Sequence, residues 1–192
     1  MDRNIDFKHH VEVAWQLTLR HIFSLVLLTL ATATIGVFSL GLLAPAAMAG
    51  YVNAVLQLVR TGREPDLRDV FSQMRLALPL LGLSLAALLL SLLGYALLVI
   101  PGILISLAIS HICLYVVPLM IDHQLGILAA VKASYRKAMS PPIADNILVT
   151  VVVMGLLGIG GSVFIGWLFT HPLATVFLVS IYSEKTDATG DL

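Results

Sequence analysis

Few side chains in this sequence could do chemistry, and most of them stand alone. His111 and Tyr115 lie one helical turn apart on one face inside a long apolar stretch, where an ionisable side chain is by default a candidate for a functional site. Asn53 and Gln57 have the same i, i+4 spacing in another stretch. An imidazole at such depth reads either as part of a functional site or as a neutral ring satisfied by one donor and one acceptor nearby. Asp122, His123 and Asp145 border the apolar stretches, where a metal pair is one reading and simple helix-end solvation the cheaper one. His9 and His10 are adjacent beside Glu12, so on a helix they point to different sides, which disfavours a shared metal. Cys113 is the single cysteine; it excludes a disulfide framework or a multi-thiolate site and reads as a packed thiol. The sequence has no Gly-rich phosphate cradle after a strand, no His-Glu-x-x-His and no Gly-x-Ser-x-Gly elbow. No carboxylate lies within an apolar stretch, although proton or sodium coupling normally uses one. The expectation is a protein that is not an enzyme and holds no cofactor or metal.

The elements that carry these residues are unusually apolar. Of 192 residues, 59% are hydrophobic and only 11% charged, against about 45–50% and about 25% in a soluble domain. With a mean hydropathy of +0.98, a soluble globular enzyme is excluded. A net charge of zero gives no reason to expect nucleic acid. No Asp, Glu, Lys or Arg occurs from Ile22 to Val59, from Leu76 to Ile121, or from Asn146 to Ser183. A spanning helix needs about 20 apolar residues, so each of these runs is long enough for two. Breakers stand near their middles: Gly41 to Pro45, Gly94 to Gly102, and Gly166 to Pro172. The sequence predicts an all-α membrane bundle of six spans, at 22–42, 44–60, 77–98, 101–121, 144–167 and 169–183.

All eleven Lys and Arg fall on one side of this scheme, and the three opposite turns have none. The positive-inside rule then puts both termini in the cytoplasm. The layout is a single integral membrane domain: an amphipathic N-terminus over 1–21, a hairpin over 22–60, a cytoplasmic helix over 61–76, a second hairpin over 77–121, a second cytoplasmic helix over 122–143, a third hairpin over 144–183, and a flexible tail over 184–192. Ala47-Met48-Ala49 before Gly50 imitates a secretory cleavage site, but the preceding polar and apolar segments are too long for a signal peptide.

The basic bands have helical patterning of their own. Leu67, Val70, Phe71 and Met74 recur at helical spacing after a Pro65-Asp66 start, with Asp69 at the N3 position. Leu128, Val131, Tyr135 and Met139 do the same opposite Lys132, Arg136 and Lys137, until Ser140-Pro141-Pro142. Phe7, Val11, Trp15 and Ile22 form a weaker stripe. Such helices either link hairpins or lie at the membrane surface, where Lys132, Arg136 and Lys137 would meet anionic lipid headgroups. Within the spans, small residues at spacings of four (Ala46, Gly50 and Ala54; Gly158, Ser162 and Gly166) predict close helix packing. A bulky side chain at Gly50 or Gly158 would then force two backbones apart. A short echo between the Val13–Leu17 and Lys132–Arg136 segments reads either as a duplication or as chance similarity of simple apolar sequence. The expected partners are membrane lipids and a membrane protein, the latter including a second copy of the chain.

Several of these segments also share a likeness. Ile100-Pro101-Gly102-Ile103, Pro118-Leu119-Met120-Ile121-Asp122, and then Gly126, Ala130 and Ser134 resemble the recurring core of the YciC-like bacterial inner-membrane proteins. Related sequences form the membrane domain attached to some glycerophosphodiester phosphodiesterases. Arg60 to Pro65, leading to Asp69-Val70-Phe71, is similar to that family's first cytoplasmic connection, and Pro172 to Tyr182 to its last span. The resemblance implies a six-span α-helical protein of the bacterial inner membrane with a role in envelope or lipid homeostasis. It implies no catalytic residues, and the phosphodiesterase barrel is not encoded here. The residues themselves, with short outer turns, no reactive constellation and a basic belt on one side, read as a scaffold, accessory or regulatory subunit. The other reading of the residues is a channel, or a carrier or binder of a lipid or other apolar small molecule.

Overall fold

The computed structural model describes residues 5–162 and 164–189. Arg3 and positions 190–192 of the expected tail lie outside them. The described residues form α-helices and two short 3-10 turns, with no strand among them. The helices are α1 (Phe7–Arg20), α2 (Ile22–Phe38), α3 (Ala44–Thr61), α4 (Ala77–Leu97), α5 (Val99–Cys113), α6 (Val116–Asp122), α7 (Ile127–Ala138), α8 (Ile143–Gly161) and α9 (Phe164–Thr189). The 3-10 turns are Leu67–Phe71 and Met74–Leu76.

Glycine and proline set most of the breaks. Gly41, with φ of 84°, turns the chain between α2 and α3, and Pro45 sits in the first turn of α3 where no donor is needed. Gly62, with φ of 71°, ends α3 in a left-handed C-cap. Pro118 explains an interruption that was not expected: the helix foreseen over 101–121 breaks at Leu114-Tyr115 into α5 and α6, because Pro118 has no N–H for the Leu114 carbonyl. The Ser134 hydroxyl on α7 fills part of the gap, donating to the Ile112 carbonyl at 2.5 Å and accepting the Tyr115 N–H at 3.2 Å. Ser134→Ala should leave a buried carbonyl and N–H unpaired, at about 1–3 kcal/mol. Thermal unfolding in detergent measures it, and Ser134→Thr should recover most of the loss.

The last turn is displaced from its expected place. The chain reverses after Gly160-Gly161-Ser162, not at Gly166 to Pro172, and Pro172 is carried inside α9. Clustered glycines are poor helix formers, whereas a proline in an apolar helix is tolerated when neighbours satisfy the freed carbonyl. Helix α9 also continues to Thr189, into the segment expected to be a flexible tail. The 67–74 stripe forms 3-10 turns in place of an α-helix, opened by a reciprocal capping box between Asp66 and Asp69.

Helix α3 is the centre of the molecule, with ten buried residues from Ala46 to Leu58. Against it lie α9 (Ala174, Val176, Phe177, Ile181), α2 (Leu25, Leu28) and Tyr115 and Leu119 at the α5–α6 junction. Helices α4 and α5 pack on one another at Gly94, where a β-carbon would stand 3.0 Å from the Gly102 Cα. Their outer faces are bare leucine and isoleucine: Leu93, Leu97, Ile100 and Leu104 are all exposed.

The amphipathic helices are oriented inside out by the standard of a soluble protein. Helix α1 buries His10, Ala14 and Thr18 and leaves Val11, Trp15 and Leu19 outside. Helix α7 buries Ala130, Ala133, Ser134 and Ala138, with Leu128 76% exposed and Tyr135 50%. The expected apolar stripes therefore face outward, and the small-residue faces pack. Apolar patches of this extent are uncommon on soluble monomers. Among the described residues, three helical stretches (Leu67–Leu97, Val99–Asp122 and Ile143–Gly161) are long and apolar enough to cross a membrane, or up to four if α1 and α2, bent by 86°, form one span. These are the properties of a membrane protein.

Candidate functional site

The densest polar grouping lies where α3 and α6 end against α9. Arg60, in the last turn of α3, donates from Nη1 to Asp122 Oδ1 at 2.6 Å and from Nη2 to Oδ2 at 2.8 Å. This fork matches the planar guanidinium to the carboxylate. Tyr182 on α9 donates its hydroxyl to the same Asp122 Oδ2 at 3.0 Å. The Lys137 ammonium stands 4.5 Å from the centre of the Tyr182 ring and donates to Thr186 Oγ1 at 2.7 Å. Next to it, Asn146 on α8 donates to the Ser140 carbonyl at 2.9 Å and accepts from Lys185. Burial holds the Lys185 ammonium below its usual pKa, opposed by the charge of Asp145. Asp145 itself accepts the Ile5 N–H at 2.9 Å.

A second polar contact fastens α1. The His10 ring meets Ser180 Oγ at 2.8 Å through Nδ1 and Glu184 Oε2 at 2.8 Å through Nε2. Burial lowers its pKa from the usual histidine value more than Glu184 raises it.

His111 and Tyr115 both meet α8. His111 Nδ1 lies 2.7 Å from Thr150 Oγ1, and the Tyr115 hydroxyl lies 3.5 Å from Asn146 Oδ1, one turn along α8. Thr150 has one proton and gives it to the Asn146 carbonyl at 3.0 Å. With the proton so placed, Nδ1 donates and Nε2 is a bare acceptor, whereas the other tautomer turns the Thr150 proton to Nδ1 and leaves an N–H at Nε2. That Nε2 is buried with no partner among the described residues. Beside the ring runs an apolar groove of about 220 Å³ lined by Leu104, Leu107, Ala108, Ile147 and Val151.

Asn53 and Gln57 belong elsewhere. They hold the segment after α3 back along that helix: Asn53 donates to Ser72 Oγ at 3.1 Å, and Gln57 accepts from Arg63. Arg63 also pairs with Asp69 at 2.8 Å. The two amides fasten a connection and do not line a path with His111.

The small-residue ridges divide. Ala46, Gly50 and Ala54 are buried, but the close approach at Gly50 is to the Leu67–Phe71 turn, not to another long helix. A β-carbon at Gly50 would stand 2.5 Å from the Asp69 carbonyl oxygen and nearer still to that of Val70. The expectation for the other ridge is corrected. A β-carbon at Gly158 would meet nothing within 4 Å, Ser162 is exposed and bonds back to the Gly158 carbonyl, and Gly166 is only half-buried. The tight glycine of that region is Gly160, two residues on, against the Thr170 side chain with its Cβ at 2.8 Å. Glycines so close in sequence lie on different sides of α8, and spacing alone does not say which side packs.

The three expected lipid contacts also divide. Lys132 and Arg136 are exposed on one face of α7, whereas Lys137 turns inward to Tyr182 and Thr186.

The chain matches no protein-family model, no curated protein and no solved structure. Its chemistry is therefore read from its own groups. The Asp122 carboxylate is engaged by a guanidinium and a phenol, an arrangement suited to holding helix ends together and poorly suited to accepting a proton. Among the described residues, no group of three or more His, Cys, Asp or Glu could hold a metal ion. The Arg60–Asp122–Tyr182 junction was not foreseen from sequence. One signal for it was present: Arg60 and Asp122 each end a charge-free run on the same side of the scheme.

Proposed function

We propose that this is a multi-pass membrane protein without catalytic activity, acting by association as a scaffold, accessory or regulatory subunit. Six spans form three hairpins with both termini in the cytoplasm of a bacterium, in the inner membrane, with a role in envelope or lipid homeostasis as the YciC-like resemblance implies. The observation that carries this reading is that the densest polar grouping, Arg60, Asp122 and Tyr182, is engaged within itself, while α4, α5 and α8 present long unpartnered apolar faces. The placement of every Lys and Arg on one side supports the orientation. Size-exclusion chromatography with light scattering, and pull-down with mass spectrometry from mild detergent, should find a self-oligomer or one reproducible membrane-protein partner. A monomer with no partner would remove this reading.

The groove beside His111 favours a second reading, a binder or carrier of an apolar small molecule. An apolar compound retained through purification, and lost in Ala108→Phe, would select it.

A further inference from the structure

We propose that the outer face of α7, with the end of α5, binds the headgroup of an anionic phospholipid whose acyl chain lies along α5. The inference rests on the proposed topology, which places α7 at the cytoplasmic surface. Lys132 and Arg136 are four residues apart and therefore on one face of α7. They flank Tyr135 and line, with Val131 and Ile112 as apolar floor, a shallow groove of about 580 Å³. No ion pair engages either cation among the described residues, and α7 contains no acidic residue.

The groove is built into the fold. The Ser134 hydroxyl, on the opposite face of α7, is bonded to the backbone on both sides of the α5–α6 break, which fixes Lys132 and Arg136 relative to Ile112. Two positive charges over an apolar floor match a phosphodiester with an apolar tail better than a free anion, which would gain nothing from Ile112 and Val131.

The path for the tail is also present. Leu104, Ala108 and Ile112 follow at i, i+4 and i+8 on one ridge of α5, and Leu104 and Ala108 line the apolar groove between α5 and α8. At 1.5 Å per residue this ridge runs about 12 Å from the basic groove into the apolar region. Headgroup and chain sites are thus aligned along one helix. Lys137 has no part in this, since it faces Tyr182 and Thr186.

The full chain in nanodiscs of equal phosphatidylglycerol and phosphatidylcholine, ejected into a native mass spectrometer, tests the proposal. Phosphatidylglycerol should be enriched in the retained lipid by roughly 30-fold, the equivalent of about 1 kcal/mol per cation. Lys132→Gln with Arg136→Gln should return the ratio to that of the bulk lipid, whereas Lys8→Gln with Arg20→Gln should preserve the enrichment. Equal lipid ratios in wild type and the Lys132/Arg136 variant would overturn the site. Should that variant fail to fold, the wild type still decides. Retained phosphatidylglycerol should resist tenfold phosphatidylcholine and tenfold inorganic phosphate. Displacement by phosphate would assign the groove to a free anion, displacement by phosphatidylcholine would deny headgroup selectivity, and either overturns the proposal. A topology reporter after Ser140 separates the two levels: a cytoplasmic reading with no enrichment defeats the lipid site alone, and an external reading defeats the topology beneath it.

Discussion

Gly50→Ala lowers the thermal midpoint of the detergent-solubilised protein on the order of 5–10 °C, and Gly158→Ala leaves it unchanged or raises it slightly. The contrast follows from what surrounds two glycines of similar appearance in sequence. At Gly50 the first added carbon meets the backbone carbonyls of Asp69 and Val70, which cannot rotate away as a side chain would. The 3-10 turn must lift off α3, disturbing the Arg63–Asp69 and Asn53–Ser72 contacts beside it. Overpacking of this kind costs about 1–3 kcal/mol and occasionally more, and a chain of this size loses roughly 2–4 °C per kcal/mol. At Gly158 the same carbon enters open space, so only the better helix propensity of alanine remains, at most about 1 kcal/mol in its favour. Equal midpoints for both variants would mean that the Leu67–Phe71 turn does not rest on α3.

Asp122→Asn should cost about 1.5–3 kcal/mol, the range for a hydrogen bond to a charged group. It removes the charge and leaves one accepting oxygen where Arg60 and Tyr182 shared two, with an NH2 group turned toward one of these donors. Neither side chain is fully buried, at 32% exposure for Arg60 and 17% for Asp122, so water softens the loss relative to an ion pair sealed in a core. A double-mutant cycle of Asp122→Asn with Arg60→Gln, read by thermal unfolding, should give a coupling above about 1 kcal/mol, and Asp122→Asn with Tyr182→Phe a smaller one. Strict additivity in both cycles would show that the three helices are not joined through this carboxylate.

What the sequence revealed and what it concealed have separable physical causes. Local backbone chemistry was legible: Gly41-Pro45 and Gly94 to Gly102 marked turns that the structure has, because these residues act where they stand. The α8–α9 reversal was misplaced, since two kinds of breaker competed and the glycine run at 160–161 prevailed over Pro172. Which face of an amphipathic helix packs was not legible. Around α1 and α7 the apolar side turns out and the small side turns in, the reverse of the rule for water. The polar junction was hidden for another reason: its members are separated by 60 residues or more, and nothing in a local pattern brings Arg60 to Asp122 or Tyr182. The His111 pairing was half legible. Its depth and its alignment with Tyr115 came from spacing, while Thr150 as its partner depended on how α8 is rotated.

Reporter fusions along the chain test the central claim, that three helical hairpins cross the membrane from the cytoplasmic side. Fusions after Thr61, Ser140 and Leu192 should read cytoplasmic, and fusions after Leu43, Leu98 and Ser162 should read outside. The last position follows the observed turn after Gly161, ahead of the Gly166 to Pro172 segment where the sequence placed it. All six readings in this pattern would establish the three hairpins and the side on which every Lys and Arg resides. A single inverted reading, most informatively an external one after Thr61, would contradict them.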